Sequence, residues 1–251
     1  MIHLLVTGHE GYIGSNFINY VETNALPIQT YRYEGDIMDF DLPCDGFLEP
    51  FYGQRETCMV LHLAALAGVR KSLEQPDLYW RNNVLGTRRV FAKCQQHNVK
   101  LLFASSSNAH DVTNPYAETK KQNELDRISD CVGFRPHTVY PGRPDMLFQR
   151  LRNKEVTYIN TGHTRDFTHI FDICSALWTI MKNYPALKGE VVDIGTGEAV
   201  PVTDVALGMG FTGEMVNDPT PNERTHTAAD ISRLKSFGWE PKYKILDVID
   251  W

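Results

Sequence analysis

Tyr116 and Lys120 stand four residues apart in the run PYAETKKQ. On a helix, positions i and i+4 share a face, so this spacing brings an ammonium into the surroundings of a phenol. A phenol with a pKa of about 10 is a poor base at neutral pH. A neighbouring Lys⁺ stabilises the phenolate and makes it a more competent proton acceptor. Just upstream, Ser105, Ser106 and Ser107 end the apolar run LLFA. A hydroxyl there binds the substrate oxygen that loses or gains the proton, by hydrogen bonding and without nucleophilic attack. Y-x-x-x-K occurs by chance in many chains; a serine run at the end of an apolar segment makes it specific.

A second group handles phosphate. Gly8, Gly11 and Gly14 lie in TGHEGYIG, directly after the apolar run IHLLVT. Gly8 permits a tight turn, Gly11 a close backbone approach to a pyrophosphate, and Gly14 tight helix–strand packing. Tyr12 and Ile13 open the helix whose N-terminal N–H groups and dipole favour an anion. The glycines therefore predict a bound dinucleotide. The ribose-binding residue is expected about 20 residues onward, at the end of the second strand. Arg32 is found there instead of the Asp or Glu usual for NAD. Arginine suits the 2′-phosphate of NADP, and the competing reading is a solvated side chain. Asp36 and Ile37 are a second candidate beside the adenine.

These groups need a scaffold. Apolar runs recur near 2–7, 58–63, 99–104 and 131–135, with helical stretches at 12–22, 76–97 and 115–130. Pro115 suits the first turn of the last of these. This alternation predicts βαβ units and an α/β fold, a doubly wound parallel sheet binding ligands along its strand C-termini. Residues 34–57 read as loops with one short helix. After about 140 the texture changes at Pro141, Gly142 and Pro144, and a smaller C-terminal lobe is expected. It holds a helix near 170–183, a strand near 190–194 and a helix near 230–237.

Composition narrows the classes. The chain has 251 residues, 42% hydrophobic and 22% charged, a globular balance that excludes general disorder. Its formal charge of −6 argues against a nucleic-acid surface. No apolar stretch approaches the roughly 20 residues that span a bilayer. The N-terminus lacks a basic segment and a cleavage site, so no secretory signal is read. The five cysteines, Cys44, Cys58, Cys94, Cys131 and Cys174, lack metal-binding spacing. They predict reduced thiols in a cytoplasmic protein with no structural metal.

The motifs taken together resemble the extended short-chain dehydrogenase/reductases of the NAD-dependent sugar epimerase/dehydratase family, over nearly the whole chain. They are TGHEGYIG (7–14), EGDIMD (34–39), HLAALAGVRKS (62–72), NNVLGT (82–87), FASSS (103–107), YAETK (116–120), RDFTHIFDI (165–173), DIGTG (193–197) and ADISRLKSFGWEPK (229–242). The resemblance implies a Rossmann domain over 1–140, with part of 160–195, and a nucleotide-sugar lobe over 141–251. It implies that Tyr116 is the acid/base, Lys120 its partner and Ser106 the catalytic hydroxyl, with Ser107 the alternative. Leu63, Ala64 and Ala65 would run along the cofactor, with Asn83 supporting it. Ser107, Asn108 and Thr138 would face the sugar, and Arg165 and Arg224 would grip the nucleotide diphosphate. A homodimer is expected through the helices at 76–97 and 115–130, with Val84, Val90 and Phe91 supplying outward apolar surface.

The departures from the family select among reactions. Only ten positions separate Ser106 from Tyr116, less than the family's usual spacing. Ala109-His110-Asp111 replaces the family's V-Y-G, and Thr138 replaces a substrate-contacting asparagine. The 4,6-dehydratases of the family place Asp-Glu beside the catalytic hydroxyl, where this chain has Ser107-Asn108. Decarboxylating members use a glutamate at the Asn108 position, and GDP-fucose synthases a cysteine. A 4-epimerase needs only Ser, Tyr, Lys and a tightly held NAD, so 4-epimerisation of a nucleotide-diphosphate sugar through a 4-keto intermediate leads. The alternatives are an NADPH-dependent reductase or epimerase-reductase, pointed to by Arg32, a dehydratase or decarboxylase, and a non-enzymatic NAD(P)-binding protein.

Overall fold

The computed structural model describes residues 1–43, 47–48, 57–217 and 222–249. In chain order the first elements are β1 (Ile2–Thr7), α1 (Tyr12–Thr23), β2 (Ile28–Arg32), β3 (Cys58–His62), α2 (Val69–Glu74) and α3 (Pro76–Trp80). A π-helical turn, Arg81–Leu85, leads into α4 (Gly86–His97), followed by β4 (Lys100–Ala104), α5 (Pro115–Asp126) and β5 (Cys131–Pro136). Then come β6 (Thr138–Tyr140), α6 (Leu147–Arg152), β7 (Tyr158–Asn160), β8 (Thr164–Arg165), β9 (Phe167–His169) and α7 (Ile170–Lys182). The chain ends with α8 (Tyr184–Leu187), β10 (Val191–Ile194), β11 (Val200–Pro201), α9 (Val202–Gly208), β12 (Glu214–Val216), α10 (Ser232–Lys235) and α11 (Ile245–Val248).

The chain forms two compact units. The first comprises residues 1–134 and 184–191, and the second residues 135–183 and 192–251. The first unit is built on parallel strands in the order β5-β4-β3-β1-β2, with β10, which starts in this unit at Val191, beside β5. This is the doubly wound α/β sheet that the alternating pattern predicts. The central strands are largely buried, all five residues of β3 among them, as sheets covered on both faces require, whereas the edge strand β2 buries only Ile28. One core cluster packs Leu5, Val60, Leu101 and Phe103 against Val90 and Phe91 of α4. Those two residues are buried, as is Val84, so none of the three is the outward surface expected for a dimer. The reason is that α4 turns its apolar stripe onto its own sheet. The exposed leucines of the same region are Leu78, Leu85 and Leu125.

Two helix lengths differ from expectation. The α5 helix stops at Asp126 rather than 130, because Arg127 turns extended and its guanidinium bonds the Glu124 and Gly189 carbonyls. The segment 230–237 yields only the four-residue α10. Among the described residues the second unit holds three two-stranded pairings, β6 with β9, β7 with β12 and β8 with β11, and a core cluster that includes Tyr140, Phe167 and Val205. Cys58, Cys94, Cys131 and Cys174 are free and buried; Cys44 lies outside the described residues. Among the described residues no helix is long and apolar enough to cross a membrane.

Candidate active site

The glycine turn sits between β1 and α1. Gly8 adopts φ +68°, and a Cβ on it would lie 2.7 Å from the Ala64 nitrogen. A Cβ on Gly14 would lie 2.4 Å from the Gly8 carbonyl oxygen. The Gly11 N–H donates to that same carbonyl, 3.0 Å away, and Gly11 starts α1 with no side chain capping it. Tyr12, Ile13 and Gly14 thus form a helix N-terminus bare of side-chain caps and of acidic residues, the arrangement that receives a pyrophosphate. These observations fit a dinucleotide cofactor, and Gly8, Gly11, Tyr12, Ile13 and Gly14 would hold its phosphates.

Arg32, at the exposed end of β2, lines a cavity of about 450 Å³ with His9, Glu10, Glu22 and Glu34. His9 Nε2 lies 3.6 Å from Glu34. Three carboxylates therefore share the space with the one arginine. Asp36 is exposed and accepts from the Met38 N–H at 2.8 Å, while Ile37 is buried against Gly86, where a Cβ would meet it at 2.7 Å.

After β3 the chain passes through Leu63, Ala64 and Ala65. The Leu63 and Ala64 N–H groups donate to Thr7 Oγ1, which holds this stretch beside the glycine turn. Asn83, fully buried in the π-helical turn, uses both ends of its amide: Oδ1 accepts from the Leu66 N–H at 2.8 Å, and Nδ2 donates to the Leu66 carbonyl at 2.9 Å.

The serines close β4. Ser105 is buried and donates to Glu124 at 2.5 Å, which occupies it structurally. Ser106 is 6% exposed and caps a short 3-10 turn, its Oγ accepting from the Asn108 N–H at 3.2 Å and the Asn108 amide at 3.4 Å. Those bonds leave the Ser106 proton available for donation. Ser107 begins that turn and is also buried.

Asn114 caps α5, accepting from the Ala117 N–H at 2.9 Å, with Pro115 at its first position. Tyr116 in that first turn donates its N–H to Ser72 Oγ, and its ring meets the Tyr79 ring edge-on, centroids 6.4 Å apart. Tyr79 is itself tethered through its hydroxyl to the Ala67 carbonyl at 2.9 Å. Lys120 is 4% exposed and donates from Nζ to the Ala104 carbonyl at 2.8 Å. Burial lowers its pKa to about 8.

In the second unit, Thr138 starts β6 and donates its N–H to the Asp166 carbonyl. The half-buried Arg165 donates Nη1 to the carbonyls of Thr164 and Thr225, and its Nη2 lies 3.4 Å from His163 Nδ1. Burial lowers the Arg165 pKa, Glu223 opposes this, and the charge of Arg224 adds to it. Arg165 is thus within electrostatic reach of both Glu223 and Arg224.

Two residues lie within the quoted motifs with no role read for them from the sequence. Asp166 is fully buried and accepts from the N–H groups of Thr196, Gly197 and Ala229 at 2.7, 2.9 and 3.0 Å, and from Thr196 Oγ1 at 2.8 Å. It fastens the Gly195-Thr196-Gly197 turn next to Arg165. A Cβ on Gly195 would lie 2.5 Å from its carboxylate. His62, buried at the end of β3, bridges Thr7 and Thr87. Neither carries a local signal for these partners: His62 only closes the apolar strand β3, and Asp166 lies between β8 and β9.

Residues 4–141 match the family described as "NAD dependent epimerase/dehydratase family". The UDP-glucose 4-epimerase of Halalkalibacterium halodurans is 31% identical, with 98% of this chain and 92% of that protein covered. The UDP-glucuronate 4-epimerase of Thermodesulfobacterium geofontis is also 31% identical, over 85% of this chain and 75% of that protein. Among solved structures, MoeE5 in complex with UDP-glucose and NAD superimposes with a TM-score of 0.83 at 25% identity, covering 98% and 96% of the two chains. The glycine cradle, the Tyr–Lys helix and these matches agree: the chain is an enzyme of the NAD-dependent nucleotide-sugar epimerase/dehydratase family, with NAD as its cofactor.

Proposed function

We propose that the protein is a nucleotide-sugar 4-epimerase. The observation that carries this reading is Lys120, a buried ammonium at the C-terminal end of β4, four residues beyond Tyr116 on one helix. NAD, when bound, supplies a reversible two-electron oxidation at C4 of the sugar. Tyr116 takes the proton of the C4 hydroxyl, and Ser106 donates a hydrogen bond to that oxygen. Lys120 stabilises the phenolate electrostatically and so brings its proton affinity towards neutrality. The 4-keto sugar turns over, and Tyr116 returns the proton to the oxygen of the opposite epimer. Leu63, Ala64, Ala65, Asn83, Asp36 and Ile37 shape the cofactor's bed. Thr138, Ser107 and Asn108 face the sugar, and Arg165 and Arg224 hold the diphosphate.

No carboxylate stands at 107 or 108 to drive elimination, which favours epimerisation over dehydration or decarboxylation. The names of the two relatives that are 31% identical support the same choice and make UDP-hexoses and UDP-hexuronates the first substrates to try. Four buried free thiols suit the reducing cytoplasm. A homodimer is proposed through α3, α4 and α5, now with Leu78, Leu85 and Leu125 as its apolar surface. A monomer mass by light scattering at micromolar concentration rules that assembly out.

The deciding experiment incubates the protein with UDP-, GDP- and dTDP-sugars and reads the products by NMR. Interconversion of C4 epimers without added cofactor, from protein that retains NAD through gel filtration, is the expected result. Products that form only with added NADPH, or loss of water from the sugar, refute it.

A further inference from the structure

The proton chemistry above leaves the buried His62 side chain unused. The His62 ring, 4% exposed, bridges two hydroxyls: Nδ1 lies 2.8 Å from Thr7 Oγ1, and Nε2 lies 2.9 Å from Thr87 Oγ1. Counting protons fixes its tautomer. Thr7 Oγ1 accepts from the N–H groups of Leu63 and Ala64, at 3.2 and 3.3 Å. A hydroxyl has two lone pairs and one proton, so the Thr7 proton is left for Nδ1. Nδ1 is then the acceptor, and Nε2 carries the hydrogen donated to Thr87. A second proton on the ring would break the bond from Thr7. Burial, followed by the charge of Lys120, pushes the His62 pKa down to about 3, in keeping with a neutral ring.

The chain of contacts continues beyond Thr87. Asn123 Nδ2 reaches Thr87 Oγ1 at 3.4 Å and the Asn83 carbonyl at 3.0 Å. Asn83 Nδ2 donates to Thr119 Oγ1 at 3.2 Å, and the Thr119 hydroxyl donates to the Tyr116 carbonyl at 2.8 Å. Thr7 is the residue before Gly8, and Thr119 and Asn123 lie on the helix that carries Tyr116 and Lys120. All of it belongs to the first unit. Apolar contacts between α5 and its neighbours would tolerate small slides, whereas directional hydrogen bonds made by a single tautomer in a low-dielectric interior do not.

We propose that His62, held as its neutral Nε2–H tautomer, is a positioning residue that registers the Tyr116–Lys120 helix against the dinucleotide turn. This rests on the reading of Tyr116 as acid/base.

The test uses the full chain with NAD bound. Histidine ¹⁵N NMR, with the His62 signals assigned by their loss in His62→Gln, should report an Nε2–H ring that does not titrate between about pH 5 and 8. An Nδ1–H ring, or a midpoint inside that range, overturns the proposal. Thr87→Val then removes the acceptor and keeps the shape. Tyrosine ¹³Cζ NMR, with Tyr116 identified by its loss in Tyr116→Phe, should show the phenol midpoint displaced by about one pH unit or more, restored in Thr87→Ser. NAD affinity should stay within about threefold, because the glycine cradle is untouched. An unchanged Tyr116 midpoint in folded Thr87→Val overturns the proposal. Undiminished turnover in Tyr116→Phe would instead sink the acid/base reading itself, a failure that leaves the tautomer and midpoint results standing apart from it.

Discussion

Lys120 Nζ lies 2.8 Å from the carbonyl oxygen of Ala104, which pins the ammonium to the last residue of β4, directly before the serine run. A helix residue and a strand end are thereby held in fixed relation by one charge-assisted bond. Its burial has a consequence for pH. With a pKa lowered to about 8, Lys120 loses its charge just above neutrality, and the phenolate loses its cationic support. Turnover should fall as pH rises through about 8, and in Lys120→Arg, which stays charged, that limb should move to higher pH at a lower maximal rate. The pH profile of kcat measures this; a flat profile from pH 7 to about 10 contradicts it. The folded pKa lies below the unfolded one, so the unfolded chain binds more protons between the two. The Lys120 contribution to stability therefore rises with pH from about 8 to 10.5.

Tyr116→Phe should lower turnover by about two to four orders of magnitude, the usual size of a general acid/base contribution. NAD should still bind, since Lys120 and the glycine turn remain. Steady-state kinetics and an NAD titration on the same preparation read both outcomes, and near-normal activity removes Tyr116 from its role.

Arg32 faces Glu10, Glu22 and Glu34 around one cavity, so a 2′-phosphate entering it meets net negative charge. NAD should bind about tenfold or more tightly than NADP, and Arg32→Ala should alter the NAD affinity by less than about threefold, as expected of an exposed, solvent-screened charge. Titration of cofactor-free protein with both nucleotides decides. Tighter NADP binding that is lost in Arg32→Ala would promote the reductase reading.

Asp166→Asn keeps the size of the side chain but replaces one acceptor oxygen with an NH2 group, a donor that faces N–H donors it cannot satisfy. The variant should lose about 3 kcal/mol of stability, and UDP should bind more weakly, because the turn beside Arg165 loosens. Urea unfolding and calorimetric titration with UDP measure the two effects; a variant as stable as the parent would show that the carboxylate is not the fastener of that turn.

Local chemistry was readable from the chain alone. The glycines at 8 and 14 answer to covalent geometry, and a Tyr–Lys spacing of four puts both residues on one face once the segment is helical. The parallel sheet was equally legible, since strands covered on both faces must be apolar along their whole length. What the tertiary structure decided was direction and partnership. Val84, Val90 and Phe91 are apolar in any reading, but only the packed sheet settles that they face inward and that Leu78, Leu85 and Leu125 face out. Arg32 can be read from the sequence as a phosphate ligand or as a solvated side chain, and only the fold places Glu10, Glu22 and Glu34 around its cavity. His62 and Asp166 carry no local signature, because their partners lie between 25 and 63 residues away, apart from Thr168 two residues on. A hydrogen bond between distant residues exists only once the chain has folded them together, and no spacing rule can announce it.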